Sequence, residues 1–233
     1  MIDQYTRTRA QLGTPALDAL RSAHVAVFGI GGVGSFAVEA LARCGVGALT
    51  IVDHDVVSES NRNRQLIALC STVGRKKCDV MAERLRDINP ALRLRAVPAF
   101  YSAETREEIL TDRYDYVVDA IDKVTCKLDL ILTAQQRGIP ILSCMGTGNK
   151  LDPFQLCIGD IYETDVCPLA KVMRRELRKR GVPKLEVLYS RETPVKVPGD
   201  GETRPVPGSI SFVPSCAGLM IASHVVRRLL RNE

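Results

Sequence analysis

The stretch of sequence that decides the fold reads His24-Val25-Ala26-Val27-Phe28-Gly29-Ile30-Gly31-Gly32-Val33-Gly34. Its first part, residues 24–29, is a short β-branched run that predicts a strand, and the apolar spacing over residues 35–44 predicts a helix directly afterwards. Glycines between a strand and a helix let the backbone turn tightly and approach a phosphate, while the helix N-terminus supplies amides and a partial positive charge. The turn therefore favours a nucleotide site over a glycine turn that only packs the helix on the strand. The glycines predicted to line this site are Gly29, Gly31, Gly32 and Gly34.

Strand-like and helix-like segments alternate on the C-terminal side of this turn. The next predicted strands cover residues 48–53, 92–97, 116–120 and 141–144, and the predicted helices cover residues 75–89 and 125–137. The last third predicts strands at 155–161, 185–190 and 210–213, helices at 169–180 and 217–230, and a proline-rich surface loop at 193–208. This order predicts an α/β fold with a Rossmann-like, mostly parallel sheet and helices on both faces, to which the C-terminal part adds antiparallel strands.

The composition is that of an ordinary globular protein. Of the 233 residues, 45% are hydrophobic and 25% are charged, which argues against a disordered chain, and the net charge of +5 is only mildly basic. The eight cysteines include no Cys-x-x-Cys pair, so we expect reduced thiols and no zinc. The N-terminus has no apolar signal segment, and the apolar stretch at residues 212–226 is too short and too polar for a membrane span. We therefore expect a cytoplasmic protein with no membrane partner.

A polar loop after the second predicted strand narrows the choice of nucleotide. Asp53 ends that strand 19 residues after Gly34, where a carboxylate can accept hydrogen bonds from the ribose of NAD, FAD or ATP. The loop then continues through two arginines, and guanidinium groups neutralise and orient the oxygens of a triphosphate. This feature favours ATP over an NAD-dependent oxidoreductase and over a merely solvated loop. The candidate ATP-binding residues after Asp53 are Asp55, Asn61, Arg64, Gln65 and Lys77, with Asp122 as a candidate magnesium ligand.

The glycine turn, Asp53 and this set of residues resemble the ubiquitin-activating-enzyme superfamily, whose bacterial members include ThiF and MoeB. The second half narrows the resemblance to the tRNA threonylcarbamoyladenosine dehydratase family, and the match extends over nearly the whole chain. The segments that carry this narrower resemblance are residues 146–153, 167–181 and 208–215.

The resemblance implies an ATP-dependent, adenylate-forming enzyme that activates the carboxylate of threonylcarbamoyladenosine in tRNA and closes it to the cyclic form. It implies that Gly31 and Gly34 border the phosphates and that Asp53 holds the ribose. It also implies a homodimer and a single ThiF-type domain over residues 1–233, with an ATP-binding half at 1–150 and a substrate-facing half at 151–233. The residues that it places around the triphosphate are Asn61, Arg64, Gln65 and Lys77. The residues that it makes catalytic are Arg64, Lys77 and Asp122, the last as the magnesium ligand.

Two departures from the superfamily pattern keep alternatives open. Members often begin with an Arg-aromatic-x-Arg segment that reaches the nucleotide of the partner subunit, but here Gln4 replaces the first arginine, with Arg7 or Arg9 as substitutes. Activators of ubiquitin-like sulfur carriers commonly hold zinc in paired Cys-x-x-Cys knuckles, whose absence argues against that activity, while a sulfur-relay or carrier protein is kept as an alternative partner. Some relatives use a catalytic cysteine in a loop, and for Cys167 an ordinary free thiol is the favoured interpretation. A catalytically inactive nucleotide-binding protein is the remaining alternative.

The helix predicted at residues 169–180 is the candidate for tRNA contact. Its basic residues follow i, i+3, i+4, i+7 spacing and share one face, so they either track phosphates or form a solvated face. These candidate nucleic-acid contacts are Lys171, Arg174, Arg175 and Arg178. The three histidines, His24, His54 and His224, are scattered and are interpreted as structural, although His54 lies beside the nucleotide loop.

Overall fold

A computed structural model describes residues 2–111, 113–195 and 207–231, apart from the side chain of Arg231. Within these ranges the strands are β1 (His24–Phe28), β2 (Ala48–Val52), β3 (Arg93–Val97), β4 (Tyr116–Asp119), β5 (Ile141–Cys144), β6 (Leu156–Asp160) and β7 (Glu186–Ser190). The α-helices are α1 (Thr6–Leu12), α2 (Thr14–Ser22), α3 (Gly34–Cys44), α4 (Lys77–Ile88), α5 (Arg106–Ile109), α6 (Val124–Gln136), α7 (Pro168–Lys179) and α8 (Phe212–Arg231).

The strands form one sheet in the order β3-β2-β1-β4-β5-β7-β6. Every neighbouring pair is parallel except β6 and β7, which are antiparallel. The predicted mostly parallel sheet with an antiparallel C-terminal addition is thus confirmed. Because the chain leaves β1 in one direction through β2 and β3 and then returns to β4 on its other side, the order reverses between β1 and β4. In open α/β sheets a crevice for ligands lies at such a reversal, outside the carboxyl ends of the strands.

Helices cover both faces of the sheet, which explains why the central strands are apolar along their whole length. All residues of β2, β4 and β5 are buried, as expected for parallel strands with helices above and below. Side chains from α3, α4 and α8 form the core on one face. Side chains from α5, α6 and α7 form the core on the other. The predicted helices on both faces are therefore confirmed.

The N-terminal segment and the start of the last helix differ from the sequence-based predictions. The helices α1 and α2 were not predicted, and α2 lies at the amino ends of the strands, where Leu20 O accepts a hydrogen bond from Gly47 N–H at 3.0 Å. The predicted strand at residues 210–213 is wrong, because α8 already begins at Phe212. Pro214 is the third residue of that helix, where a missing N–H costs no intrahelical hydrogen bond. Most of the predicted loop at 193–208 lies outside the described residues.

Within the described part of the chain, no helix is both long enough and apolar enough to cross a membrane. All eight cysteines are free thiols. The four that are buried are Cys78, Cys126, Cys144 and Cys167.

Candidate nucleotide site

A cavity of about 520 Å³ opens where the order of the strands reverses. The strand register places Phe28 level with both Val52 and Asp119, so the carboxyl ends of β1, β2 and β4 meet at one edge. The residues that follow these strands therefore face a common space. Those that line the cavity after β1 to β5, in that order, are Gly29, Asp53, Ala99, Ala120 and Thr147.

The glycine turn is packed too tightly to carry side chains at two of its positions. Gly29 has a φ of +91°, and a Cβ there would lie 2.6 Å from the carbonyl oxygen of Ala120. A Cβ on Gly34 would lie 1.8 Å from the carbonyl oxygen of Gly29. The start of α3 is thereby brought against the end of β1, while Gly31 and Gly32 line the cavity. The N–H groups of a helix's first turn have no intrahelical acceptor, so this arrangement suits a phosphate.

The carboxylate of Asp53 stabilises the glycine turn through hydrogen bonds. Its Oδ2 accepts a hydrogen bond from the N–H of Ile30 at 2.6 Å, and its Oδ1 accepts one from the N–H of Asp55 at 2.8 Å. The side chain is nearly buried and still lines the cavity. Sequence reasoning expected a ribose contact from Asp53, and the structure adds that the same carboxylate holds the glycine loop and the polar loop together.

Lys77 and Asp55, predicted as separate nucleotide contacts, form an ion pair within the cavity. Lys77 Nζ lies 2.7 Å from Asp55 Oδ2, with the lysine side chain 6% exposed and the aspartate side chain 50% exposed. A backbone bridge between Val56 and Lys76 and the hydrogen bond from Lys77 N–H to Asp55 O hold the two segments side by side. The ammonium is thus a fixed, nearly buried positive charge at the cavity wall.

Asn61, Arg64 and Gln65 come from one turn and all line the cavity. The Nη1 of Arg64 donates to the carbonyl of Ser60 at 2.8 Å and to Oδ1 of Asn63 at 2.9 Å, which fixes the direction of the guanidinium. Gln65 is buried, and its Oε1 is the one deeply buried side-chain oxygen or nitrogen among the described residues that has no hydrogen-bond partner. A buried polar atom without a partner is costly, so the side-chain amide has hydrogen-bonding capacity left for a bound molecule.

Asp122 lies in the exposed turn between β4 and α6 and lines the same cavity. An exposed carboxylate is a ligand that Mg²⁺ prefers, whereas zinc favours cysteine and histidine. One group of three potential metal ligands occurs in the described part of the chain, and it consists of Asp53, His54 and Asp55. The two carboxylates of that group already accept hydrogen bonds from backbone N–H groups and from Lys77. The assignment of Asp122 as a magnesium ligand therefore stays a prediction from the sequence.

Sequence reasoning missed part of the cavity wall. Phe100, after β3, contacts the ring of His54 at 4.8 Å between centroids and lies 4.8 Å from Nζ of Lys123. Beside it, the hydroxyl of Tyr101 donates to Asp129 at 2.8 Å, and burial raises the pKa of that tyrosine. The missed part of the wall also includes Ile121, Thr147, Ser209 and Pro214. Thr147, Ser209 and Pro214 lie in segments 146–153 and 208–215, which carry the family resemblance, although none of them was predicted as a contact. For the others the available signal is the rule that ligands bind at the carboxyl ends of parallel strands.

The basic stripe of α7 is only partly a free surface. Arg174 points inward, where its guanidinium donates to the carbonyl of Thr164 at 2.7 Å and to the hydroxyl of the same residue. Arg178 lies over the ring of Tyr162, at 4.9 Å from its centroid. The side chains of Lys171 and Arg175 are exposed. The candidate contacts that face solvent are therefore Lys171, Arg175 and Arg178.

Acidic charge on the same helix offsets part of this basic face. Glu176 forms ion pairs with Arg180, Lys179 and Arg175. The hydrogen bonds from Arg180 and then from the other two cations lower the pKa of Glu176 to about 2, so the residue is an anion at neutral pH. The charge available to a phosphate is thus smaller than the sequence suggested.

The other singled-out residues lie apart from the cavity. Arg9 forms an ion pair with Asp3 at 2.8 Å on the N-terminal segment, and neither Arg7 nor Arg9 lines the cavity. Cys167 is buried at the start of α7. His24 contacts the hydroxyl of Thr50 at 2.9 Å, and His224 lies 3.3 Å from Glu186, at β1 and α8 respectively. Among the histidines, only His54 lines the cavity.

Comparisons with known proteins agree with this geometry. A family model described as "ThiF family" matches residues 5–233. The tRNA threonylcarbamoyladenosine dehydratase of Bacillus subtilis is 43% identical over 245 residues, covering 100% of this chain and 96% of the relative. The crystal structures of the Escherichia coli tRNA N6-threonylcarbamoyladenosine dehydratase, TcdA, in complex with ATP and with AMP each superpose with a TM-score of 0.91 at 36% identity. Each covers 98% of this chain and 94% of the solved one.

Proposed function

The chain belongs to the ThiF family, and on that premise we propose that it uses ATP to dehydrate threonylcarbamoyladenosine in tRNA to its cyclic form. The observation that carries this proposal is the convergence of Asp53, Arg64, Gln65 and Lys77 on one cavity beside the glycine turn. The likeness to the Bacillus subtilis and Escherichia coli dehydratases over nearly their whole length supports the choice of substrate.

The reaction has two steps, and neither needs a side-chain nucleophile. In the first, an oxygen of the substrate carboxylate attacks the α-phosphorus of ATP, a P–O bond forms, and pyrophosphate leaves. In the second, an atom of the carbamoyl group in the same nucleoside attacks the activated carbonyl carbon, and AMP leaves with the former carboxylate oxygen. The net change in the nucleoside is the loss of one water. The second step is favoured because both reacting groups belong to one molecule.

The protein's part is to position the reactants and to neutralise charge. A carboxylate approaches a polyphosphate only when their like charges are offset, and the nearly buried ammonium of Lys77 and the oriented guanidinium of Arg64 do this in a partly desolvated site. Gln65 offers its unpartnered side-chain oxygen to a hydrogen-bond donor of the bound nucleotide, and Asp53 accepts from the ribose. Asp122 would hold Mg²⁺, which would offset negative charge on the phosphates.

The C-terminal half of the chain supplies the substrate side of the site. Ser209 and Pro214, both from residues 151–233, line the cavity together with the ATP-binding residues. We assign the tRNA contact to Lys171, Arg175 and Arg178 of α7, which follow one another along an exposed face. The start of α7 lies close to the loop that follows β5, because a Cβ placed on Gly146 would be 3.8 Å from Cys167 Sγ and from Leu169 Cβ. This closeness of α7 to the cavity supports the assignment of the tRNA contact.

The decisive experiment is mass analysis of tRNA nucleosides after incubation of the protein with ATP, Mg²⁺ and tRNA that carries threonylcarbamoyladenosine. The loss of one water from that nucleoside is expected, and the Arg64→Ala and Lys77→Ala variants should not produce it. A catalytically inactive binding protein would leave the nucleoside unchanged in every sample. An Asp122→Asn variant should need a higher Mg²⁺ concentration for the same rate.

Two rival activities have their own readouts. Pyrophosphate exchange that depends on a ubiquitin-like sulfur carrier and not on tRNA would replace the proposal by a carrier-activating function. Stronger thermal stabilisation by NAD than by ATP with Mg²⁺ would replace it by an oxidoreductase. The cations of Arg64 and Lys77 at the cavity favour a triphosphate over NAD, whereas the carrier-activating rival also uses ATP and is separated only by the exchange assay.

The tRNA surface is tested by charge reversal. Arg178→Glu should weaken tRNA binding and reduce the slope of log affinity against log salt by about one, because one phosphate contact is lost. The matched control is Arg86→Glu on the exposed face of α4, which changes the net charge equally. If both variants lost the same tRNA affinity, the loss would come from the overall charge of the protein and not from a contact at Arg178. ATP affinity in the absence of tRNA should not change in either variant.

The family resemblance also motivates a proposal about assembly and location. We propose a homodimer in the cytoplasm. A partner subunit that covered Phe154 and Leu219, which are 96% and 51% exposed within one chain, would remove apolar area from water. The mass of the particle in solution, measured by light scattering, tests the dimer.

A further inference from the structure

A fully buried ion pair lies at the carboxyl ends of β4 and β5, directly behind the cavity. Nζ of Lys127, on α6, is 2.8 Å from Oδ2 of Asp119, the last residue of β4, and both side chains are 0% exposed. Neither residue lines the cavity, and the proposed reaction does not use them. A charged pair buried at this depth needs other hydrogen bonds to offset the loss of water.

The ammonium of Lys127 meets that need with backbone atoms. Nζ donates to the carbonyl of Ile121 at 3.0 Å and to the carbonyl of Cys144 at 2.8 Å, in addition to Asp119. An ammonium group has three donors, so all of them are used. The lysine thereby joins the turn after β4 to the last residue of β5.

Asp119 holds the same turn from its other side. Its Oδ1 accepts from the N–H of Ile121 at 3.1 Å, and its Oδ2 accepts from the hydroxyl of Ser143 at 2.5 Å. The N–H and the carbonyl of Ile121 are therefore both held, one by Asp119 and the other by Lys127. This fixes the peptide groups on both sides of a residue that lines the cavity.

Two parts of the site continue directly from these anchored atoms. Asp122 follows Ile121, and Thr147 lies three residues after Cys144. Replacing a buried ion pair by apolar groups of similar shape is often neutral or stabilising, so stability alone does not account for its presence. The pair is explained if the ammonium of Lys127 holds the two cavity-lining loops at a fixed separation.

We propose that Lys127 is a positioning residue of the nucleotide site. Through Asp119 and the two carbonyls it sets the separation between the turn that carries Asp122 and the loop that carries Thr147. The proposal rests on the proposed function only in that the cavity binds ATP. It does not depend on which carboxylate is activated.

The main test variant is the double substitution Asp119→Asn with Lys127→Met, which removes both charges and keeps both shapes. The asparagine oxygen still accepts from the N–H of Ile121, so folding is expected. The single Lys127→Met variant leaves a buried carboxylate without its cation and should be the less stable of the two. Ser143→Ala removes only one outer hydrogen bond and serves as a mild variant if the single lysine change does not fold.

The matched control is Leu20→Ala. Leu20 is fully buried in α2 at the amino ends of the strands, so its truncation destabilises the core at the edge away from the cavity. All variants are compared at a temperature where each is fully folded by circular dichroism. Two properties are measured, namely amide hydrogen exchange without nucleotide and the affinity for ATP with Mg²⁺ by calorimetry.

In the double variant we expect faster exchange confined to residues 120–123 and 145–147, together with a loss of about tenfold or more in ATP affinity. Leu20→Ala should change neither the local exchange pattern nor the affinity. The proposal is overturned if the double variant exchanges and binds ATP as the wild type does, or if the control loses as much affinity. Neither readout involves tRNA, so a wild-type protein that fails to dehydrate tRNA would refute the proposed function and leave this inference standing.

Discussion

The substitution Gly34→Ala tests whether the close contact in the glycine turn is essential to the site. A methyl group at this position lies 1.8 Å from the carbonyl oxygen of Gly29 and 2.9 Å from its carbonyl carbon. To bring the oxygen to 3.0 Å, which is still a tight contact, α3 and the end of β1 must separate by about 1.2 Å. Both sides of the contact are backbone, so no side-chain rotation relieves it.

The expected cost follows from that displacement. Overpacking of a well-packed region costs about 1–3 kcal/mol, occasionally more. In a chain of this length each kcal/mol lowers the melting temperature by roughly 2–4 °C. The separation also moves the start of α3 away from the loop that meets the phosphates, and a misplacement near 1 Å can reduce activity about a hundredfold.

The assay is thermal unfolding followed by circular dichroism, combined with calorimetric titration of ATP with Mg²⁺. Gly31→Ala is the control for stability, because a Cβ there meets only Nε2 of Gln65, at an ordinary 3.8 Å. We expect Gly34→Ala to melt several degrees lower and to bind ATP much more weakly, while Gly31→Ala melts near the wild type. If Gly34→Ala matches the wild type in both measurements, the contact does not position the turn and the reasoning is refuted.

Three further outcomes are expected. Lys77→Met should weaken ATP binding about tenfold or more, since it removes the nearly buried cation and takes the ammonium partner from Asp55, and calorimetry that shows unchanged affinity would contradict this. Burial raises the pKa of Cys78 to about 12, so at pH 8 only about one Cys78 thiol in ten thousand is ionised. Iodoacetamide should therefore modify the exposed Cys70 well before Cys78, which peptide mass spectrometry will measure. Equal rates of modification would be inconsistent with the burial of Cys78. Phe154→Ser should leave the melting temperature of the isolated chain unchanged, because the side chain is 96% exposed, and a marked drop at low protein concentration would show an intrachain role for it.

The sequence by itself determined the parts of this protein that depend on local spacing. Three features could be predicted from consecutive residues, because glycine placement and apolar periodicity act over a few positions. They are the glycine turn between a strand and a helix, the alternation of strands and helices, and the polar loop at residues 61–65. The strand predicted at 210–213 failed for the same reason. Its short apolar run is compatible with either structure, and its second half, Phe212 and Val213, belongs to α8, which packs with α3 in one core.

Only the tertiary structure decided which of these local pieces meet. The ion pair between Asp55 and Lys77, the unpartnered amide of Gln65 and the inward turn of Arg174 depend on atoms that are distant in the sequence. The buried Lys127 reads in the sequence as one more charge on a helix, yet it joins the ends of two strands. The physical reason is that periodicity sets which face of an element is buried, whereas the order and register of the strands set which strand ends, and therefore which side chains, share one cavity.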